Sequence, residues 1–347
     1  MTVNSDYIIH RRSDKCLLYV DYKKIWWSDQ LSRWICVSPE LIEKILKSSE
    51  FVVMHHAHQK IAERFNIDVS HLSKVSHYLP VTHDGPLHQA LRKKFALMIA
   101  ENSVDALNFF EKEFSDQIFR VMRLGGAFDL AQDILKPIVQ KTSLILAGVE
   151  GIDNKKIDRL STLFDETLRL PDRIDLNATI GRIADDLQYT MNEEECYFRI
   201  ALFALGNDSL LSTICESMIL MFIKNPDKPL SSFDWDSQIP ATGVPVVERM
   251  ANMDSEIGGY QIKKGQRVRL YLDAGGYVGT PYPSYSSIYF GAGAHACLGI
   301  PIGKKIWTTI VSRLAVISKK IEVTKLTYRE NDNVFNIYDE IKVRVYE

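Results

Sequence analysis

The spacing of apolar residues divides the chain into a helical middle and two ends with strand character. Residues 16–38 alternate aromatic and polar side chains around the turn-like Ser28-Asp29-Gln30, which predicts a β-hairpin. The last residues alternate in the same way and end with Ile341-Lys342-Val343-Arg344-Val345. Between these ends, apolar residues recur every three or four positions, which is typical of helices. The pattern therefore predicts a mainly α protein with small β-sheets, of the α+β class.

Start signals and apolar spacing predict where the individual helices lie. Ser38-Pro39-Glu40 combines a capping residue with proline at the first helical position, so a short helix should run from there to about Ser48. The other predicted helices cover about 85–100, 104–124, 131–147, 155–168, 193–224 and 298–319. Short strands are expected after Val244, one of them over 266–272.

The composition is that of a water-soluble globular protein with a large core. Of 347 residues, 46% are hydrophobic, and the net charge of −2 does not favour nucleic acid as a partner. The chain contains no linker rich in proline, glycine or serine, so residues 1–347 are interpreted as a single domain.

The N-terminal residues and the cysteines predict a cytoplasmic protein. Residues 1–15 are polar and lack the apolar segment of a signal peptide, and no apolar run is long enough to predict a membrane span. The five cysteines are odd in number and lack metal-ligand spacing, which favours reduced thiols.

One cysteine, Cys297, lies in a run that suggests a specific chemistry, Phe-Gly-Ala-Gly-Ala-His-Ala-Cys-Leu-Gly over 290–299. Gly291 and Gly293 allow a tight loop to pass close to a flat cofactor, because glycine has no Cβ. Cys297 precedes a predicted helix, whose free N–H groups and dipole should lower the pKa of the thiol and hold it as a thiolate. A thiolate bound to heme iron favours O–O cleavage.

This run resembles the heme-binding loop of the cytochrome P-450 superfamily. The resemblance implies the cytochrome P-450 fold, heme b (iron protoporphyrin IX) as cofactor, and Cys297 as the axial iron ligand. It further implies that Phe290 packs beside the thiolate, that His295 binds a heme propionate, and that Gly299 completes the loop.

Two other segments resemble parts of the same family. His88 and Arg92 lie one helical turn apart, as in the family's helix C, where such a pair reaches the heme propionates. The stretch from Pro245 to Ala251 resembles the strand after the family's helix K and makes Arg249 a further propionate partner. Cationic donors suit carboxylates because their hydrogen bonds are charge-assisted.

The predicted helix over 193–224 is similar to the family's helix I, which passes over the heme. Gly206, Asp208 and Ser209 fit its pattern if Leu205 replaces a small residue, and they make Asp208 and Ser209 the candidate proton-transfer residues. A register counted back from Asn225-Pro226 instead places a leucine at the position of the alcohol.

The chain also departs from the family. The position of the Glu-x-x-Arg pair of helix K is occupied by Gln238-Ile239-Pro240-Ala241, and Pro240 argues against an intact helix. The regions of the family's F and G helices, of helices J and K (226–245), and of the meander (274–289) are expected to be reduced.

The resemblance implies a heme-thiolate oxidoreductase, most simply a monooxygenase acting on a small organic or carrier-bound substrate. Electrons would come from a separate ferredoxin or flavodoxin. The departures leave two alternatives open. One is a heme-thiolate enzyme that uses peroxide or catalyses a rearrangement or dehydration, and the other is a non-catalytic protein that binds a partner.

Overall fold

The computed structural model describes residues 25–54, 58–149, 152, 154–165, 168–235, 238–273, 288–329 and 334–347. Nine α-helices lie in these ranges. They are α1 (Pro39–Lys47), α2 (His58–Phe65), α3 (Ser70–Tyr78), α4 (Gly85–Leu124), α5 (Lys136–Leu146), α6 (Asn154–Leu160), α7 (Leu170–Gln188), α8 (Glu193–Lys224) and α9 (Ile300–Leu314).

The described strands form three small sheets. They are β1 (Ile25–Ser28), β2 (Arg33–Cys36), β3 (Phe51–Val52), β4 (Gly126–Asp129), β5 (Val246–Ala251), β6 (Ser255–Ile257), β7 (Tyr260–Ile262), β8 (Arg267–Tyr271), β9 (Lys320–Tyr328) and β10 (Tyr338–Tyr346). The strand orders are β1-β2-β8-β5-β3, β4-β10-β9 and β6-β7. In the largest sheet β2 and β8 are parallel, while β5 pairs antiparallel with β8 and with β3.

Two large hydrophobic clusters form most of the core. The first core cluster, which includes Phe114, Met218 and Trp307, joins the second half of α4 to α9 and the C-terminal strands. The second core cluster, which includes Phe95 and Phe198, joins the first half of α4 to α3, α7 and the first half of α8. Because α4 and α8 contribute to both clusters, these two long helices form the frame of the molecule.

The structure confirms a mainly helical α+β protein and corrects several boundaries. The segments predicted as separate helices over 85–100 and 104–124 form the single helix α4 of 40 residues. The first residues of the helix predicted over 131–147 form a π-helical turn, Leu130–Leu135, before α5. The part of the predicted hairpin over 16–24 lies outside the described residues.

The regions expected to be reduced differ from one another. Between α5 and α8, α6 corresponds to the helix predicted over 155–168 but ends at Leu160, whereas the 19-residue α7 was not predicted. By contrast, residues 225–235 and 238–245 contain a 3-10 turn, Leu230–Ser232, and no α-helix. The meander region falls mostly outside the described residues, and the loss of the Glu-x-x-Arg pair stays a prediction.

The helix α8 is the one described helix that is long and apolar enough to cross a membrane. Of its most apolar stretch, 67% is buried inside the protein. This burial is typical of a core helix.

Candidate active site

The loop before Cys297 is held by close contact with α1. Gly293 has a φ of +66°, and a Cβ there would lie 2.6 Å from the carbonyl oxygen of Leu46 and 3.1 Å from Cα of Lys47. Gly291 also has a positive φ, +70°. Glycine is favoured at position 293 for two reasons, because the backbone conformation and the short approach to α1 each make a side chain unfavourable.

Hydrogen bonds within the loop place Cys297 just before α9. The N–H of Cys297 donates to the carbonyl oxygen of Phe290 at 2.8 Å, and the N–H of Ala296 donates to the carbonyl of Gly293 at 3.2 Å. The N–H of Gly299 donates to Cys297 Sγ at 3.2 Å. The sulfur therefore lies where backbone donors at the start of a helix can stabilise negative charge.

The net effect of this environment on the pKa of the Cys297 thiol differs from the lowered pKa that the sequence predicts. Burial raises the pKa of Cys297, and the N–H groups of Gly299 and Ile300 together with the charge of Arg92 offset only part of that effect. The Cys297 side chain is nevertheless exposed to solvent. The sulfur is thus enclosed by neighbouring protein yet open on one side, and negative charge on it needs a further cationic partner, as a metal ion provides.

Four cationic or basic side chains predicted for the site come from different parts of the chain. His88 and Arg92 lie on the first two turns of α4, Arg249 lies on β5, and His295 lies in the cysteine loop. The rings of His88 and His295 stack with centroids 4.0 Å apart. Nη2 of Arg92 donates to the carbonyl oxygen of Ala296 at 2.7 Å, next to Cys297. The structure thus brings His88, Arg92 and His295 together around the loop.

An ion cluster on the opposite side of β5 fixes the strand that carries Arg249. The carboxylate of Glu248 pairs with Arg33 of β2 and, at 2.7 Å, with Nε of Arg269 of β8. Arg249 itself is 8% exposed, and its Nη1 donates to the carbonyl oxygen of Glu248 at 2.8 Å.

The pKa values of the basic group are lowered. Burial, helped by the nearby His295 and Arg92, lowers the pKa of His88 to about 4. Burial also lowers the pKa of Arg249 to about 10, against the opposing attraction of Asp84. The pKa of His295 is lowered as well, first by burial and then by the positive charges of Arg249 and Arg92, although Asp84 opposes this. Burial therefore disfavours the charged forms of these groups, and a further carboxylate beside them would stabilise those forms.

The unpaired basic side chains fit a ligand with two carboxylates. In the described part of the chain, neither His88 nor the two arginines Arg92 and Arg249 form an ion pair with a carboxylate, and Nε2 of His88 is buried without a hydrogen-bond partner. A buried polar atom without a partner is costly, so it indicates a missing partner. Heme b, with two propionates and an iron that accepts a thiolate, matches this donor set.

One face of α8 borders open space rather than packed core. Leu205, Gly206, Ser209, Leu210 and Thr213 are partly exposed and recur at spacings of three or four positions, while the other residues over 205–213 are buried. A Cβ built on Gly206 would meet no heavy atom within 4 Å. This face is suited to line a cavity.

The same face and the cysteine loop lie at the junction of the two core clusters. Leu205 and Leu298 pack against the second core cluster, whereas Leu210 and Phe290 pack against the first. The α8 face and the loop therefore each contact both core clusters.

The two candidate proton-transfer residues have different surroundings. Asp208 is 5% exposed, and its Oδ1 accepts a hydrogen bond from Nδ2 of Asn207 at 2.8 Å. The hydroxyl of Ser209 donates to the carbonyl oxygens of Leu205 at 2.9 Å and Gly206 at 3.1 Å. The structure places Ser209 on the partly exposed face and Asp208 on the buried side next to it.

The sequence analysis missed Asp84, which hydrogen-bonds His295 at 2.9 Å. Asp84 lies four residues before His88 in the chain, so its position was a usable signal. Its partner lies 211 positions away, and only the folded structure reveals the pair.

Comparison with known proteins gives relatives of one kind. No family model matches the sequence. A steroid C26-monooxygenase of Rhodococcus jostii strain RHA1 is 23% identical, with 85% of this chain and 74% of the relative covered. A protein of Bacillus spizizenii named cytochrome P450 109 is 21% identical, with 70% of this chain and 72% of the relative covered.

Solved structures show the same fold. P450BioI in complex with an acyl carrier protein ligated to hexadec-9Z-enoic acid superposes with a TM-score of 0.71 at 16% identity, covering 93% of this chain and 94% of that one. A thermophilic cytochrome P450 from Sulfolobus tokodaii superposes with a TM-score of 0.69 at 18% identity, covering 94% and 97%.

The fold and the donor set around Cys297 together define a heme-thiolate enzyme with heme b as cofactor. The chain has the cytochrome P450 fold, and over most of its length it is similar to curated proteins named steroid C26-monooxygenase and cytochrome P450 109.

Proposed function

We propose that this protein is a heme-thiolate monooxygenase that inserts one atom of dioxygen into a small organic substrate. The observation that carries the proposal is the Cys297 loop, whose sulfur accepts a backbone hydrogen bond beside three basic side chains, those of His88, Arg92 and His295, that suit carboxylates. The names of the curated relatives support the reaction type.

In this proposal the chain's own residues hold the cofactor from two directions. Cys297 binds the iron as thiolate, and the bond to iron overcomes the effect of burial on its pKa. His88, Arg92, Arg249 and His295 bind the propionates. Gly291, Gly293 and Gly299 let the loop backbone approach the flat ring, and Phe290 limits water on the thiolate side. When bound, the heme supplies the iron at which dioxygen is reduced and cleaved.

Asp208 and Ser209 are proposed to deliver protons from the α8 side. Ser209 lies on the face that borders open space, so its hydroxyl can rotate away from the carbonyl oxygens of Leu205 and Gly206 and donate to a group in the cavity. Asp208 is the buried carboxyl group next in sequence and can resupply the proton. A buried acid positioned by Asn207 is suited to general acid catalysis because its orientation is fixed.

The proposed substrate is a small, largely apolar molecule, either free or attached to a carrier protein. The apolar members of the α8 face, Leu205 and Leu210, favour apolar ligands. Both forms of substrate occur in the names of similar proteins. The name steroid C26-monooxygenase refers to a small molecule, and P450BioI is in complex with an acyl carrier protein that bears a fatty acid. A ferredoxin or flavodoxin in the cytoplasm is the proposed electron donor.

A second candidate is a heme-thiolate reaction that needs no electron-transfer partner, with peroxide as oxidant or with a rearrangement or dehydration of the substrate. The observation that favours it is the lack of an α-helix in the described residues between α8 and β5, on the segment where the family's helix K is expected. A non-catalytic binding protein is the third possibility, and the basic group around the loop opposes it.

Product analysis with labelled dioxygen separates these candidates. The heme-loaded protein is incubated with a panel of apolar substrates, together with either a ferredoxin or flavodoxin system or hydrogen peroxide alone. Label from dioxygen in the product, dependent on the electron donor, supports the monooxygenase. Product with peroxide alone supports the second candidate. A heme-loaded protein that shows neither product nor substrate-induced change in spin state contradicts both.

A further inference from the structure

We propose that Asp84 is a positioning residue of the heme site, whose carboxylate orients the His295 ring and ties the cysteine loop to the start of α4. This role rests on the proposed heme site and deepens it. Asp84 itself is not proposed to contact the cofactor.

Both oxygens of Asp84 are used for contacts outside its own helix. Oδ1 accepts from Nε2 of His295 at 2.9 Å, and Oδ2 accepts from the N–H of Val53 at 2.9 Å. Asp84 is the residue before α4, a position at which aspartate commonly caps a helix. Its side chain nevertheless makes no capping hydrogen bond. The carboxylate is thus placed to connect the residue after β3 with the cysteine loop rather than to stabilise α4.

The contact with Asp84 fixes the role of each nitrogen of His295. A carboxylate only accepts hydrogen bonds, so Nε2 of His295 carries the proton that it donates. Nδ1 is then the ring nitrogen left for a propionate, and it must carry a proton as well in order to donate to that carboxylate. The ring plane is also set, because His88 stacks on it at an interplanar angle of 28°. Such outer partners orient metal-site ligands in many proteins.

Asp84 also completes the attachment of the loop. Gly293 packs against the backbone of Leu46 on one side, and His295 is held by Asp84 on the other. Cys297 follows two residues later. Loosening His295 should therefore disturb both the propionate contact and the position of the sulfur.

The test measures the rate of heme loss to a heme-scavenging protein for wild type, Asp84→Ala and Asp84→Asn. The asparagine variant keeps an acceptor for Val53 N–H and so protects folding. Asp254→Ala is the matched control, because Asp254 lies on a separate hairpin. Its carboxylate accepts hydrogen bonds from the backbone N–H of Lys264 and from Nζ of Lys263, each at 2.9 Å. Both Asp84 variants should lose heme roughly 10- to 100-fold faster than wild type, while Asp254→Ala should match wild type.

A double-mutant cycle with His295→Ala tests whether Asp84 acts through His295. In the His295→Ala background, Asp84→Asn should change the rate of heme loss by no more than about twofold, since the contact is already absent. In the wild-type background, Asp84→Asn should also move the reduction potential of the bound heme to a more positive value, because a nearby negative charge is removed.

The inference is overturned if the Asp84 variants retain heme as wild type does, or if their effect persists in full without His295. A wild-type protein that takes up no heme overturns the proposed function instead, and the two failures are distinguishable.

Discussion

Replacing Gly293 with alanine is the perturbation whose cost the structure defines most closely. A Cβ at this position would lie 2.6 Å from the carbonyl oxygen of Leu46 and 3.1 Å from Cα of Lys47. Both atoms belong to the backbone of α1, so no side-chain rotation relieves the contact. The backbone φ of +66° adds a second penalty that any residue with a Cβ incurs.

The two penalties can be estimated separately. The left-handed conformation costs about 1–2 kcal/mol for alanine. Forcing a methyl group into a filled site costs about 1–3 kcal/mol more. Gly293→Ala should therefore lower the free energy of unfolding by about 2–5 kcal/mol. Gly265→Ala is the matched control, because Gly265 has a φ of +84° but no heavy atom within 4 Å of the position that its Cβ would occupy. It should incur only the conformational cost of about 1–2 kcal/mol.

Thermal unfolding followed by circular dichroism measures both variants. With an unfolding entropy of about 2.1 cal/mol/K per residue, 1 kcal/mol shifts the Tm of a chain of this length by about 1.4 °C. Gly293→Ala should lower Tm by about 3–7 °C and Gly265→Ala by about 1–3 °C. Heme uptake should decrease in the first variant only. A Tm for Gly293→Ala equal to or above that of Gly265→Ala would refute the close packing of the loop on α1.

Three further predictions concern the proton path, the core and the pH response. Asp208→Asn should lower product formation roughly 100-fold or more without changing heme content, and Ser209→Ala should have a smaller effect, as measured by product formed per reducing equivalent. Tyr338→Phe removes the 3.0 Å hydrogen bond to the buried Glu216 and should cost about 1–3 kcal/mol in urea unfolding. Burial lowers the pKa of His88 from 6.5 to about 4, so the unfolded chain binds this proton more readily. Before heme is added, stability should fall as the pH drops from 6.5 towards 4, and His88→Gln should reduce that loss in urea unfolding at each pH.

The cysteine loop and the basic residues were recognisable from sequence because short motifs specify them. The separate residues His88, Arg92 and His295 were predicted for one site, and the structure brings them together. The prediction that they share one site came from the resemblance of separate motifs to a single family, because residue spacing alone does not relate segments about 200 positions apart.

Helix boundaries were less predictable, because polar residues that look like the end of a helix can form hydrogen bonds with distant parts of the chain while the helix continues. The polar stretch at 101–103 suggested an interruption in α4, but Asn102 hydrogen-bonds the carbonyl oxygen of Leu146 and the helix continues. The helix α7 was missed because its buried face includes Arg173, Asn177 and Thr179, which hide its amphipathic pattern.

The electrostatics of the site depend on burial, which sequence does not specify. Position before a helix predicted a lowered pKa for Cys297, whereas burial raises it in the structure. The contact between Asp84 and His295 likewise depends on how distant segments pack.

The central claim is that Cys297 binds heme iron as a thiolate. The most direct measurement is the spectrum of the reduced, carbon-monoxide-bound protein, recorded for wild type and Cys297→Ala. Wild type should show the red-shifted Soret band of a thiolate ligand, and Cys297→Ala should lack it. A colourless wild-type protein that cannot be reconstituted with heme, or a thiolate spectrum that persists in Cys297→Ala, would contradict the claim.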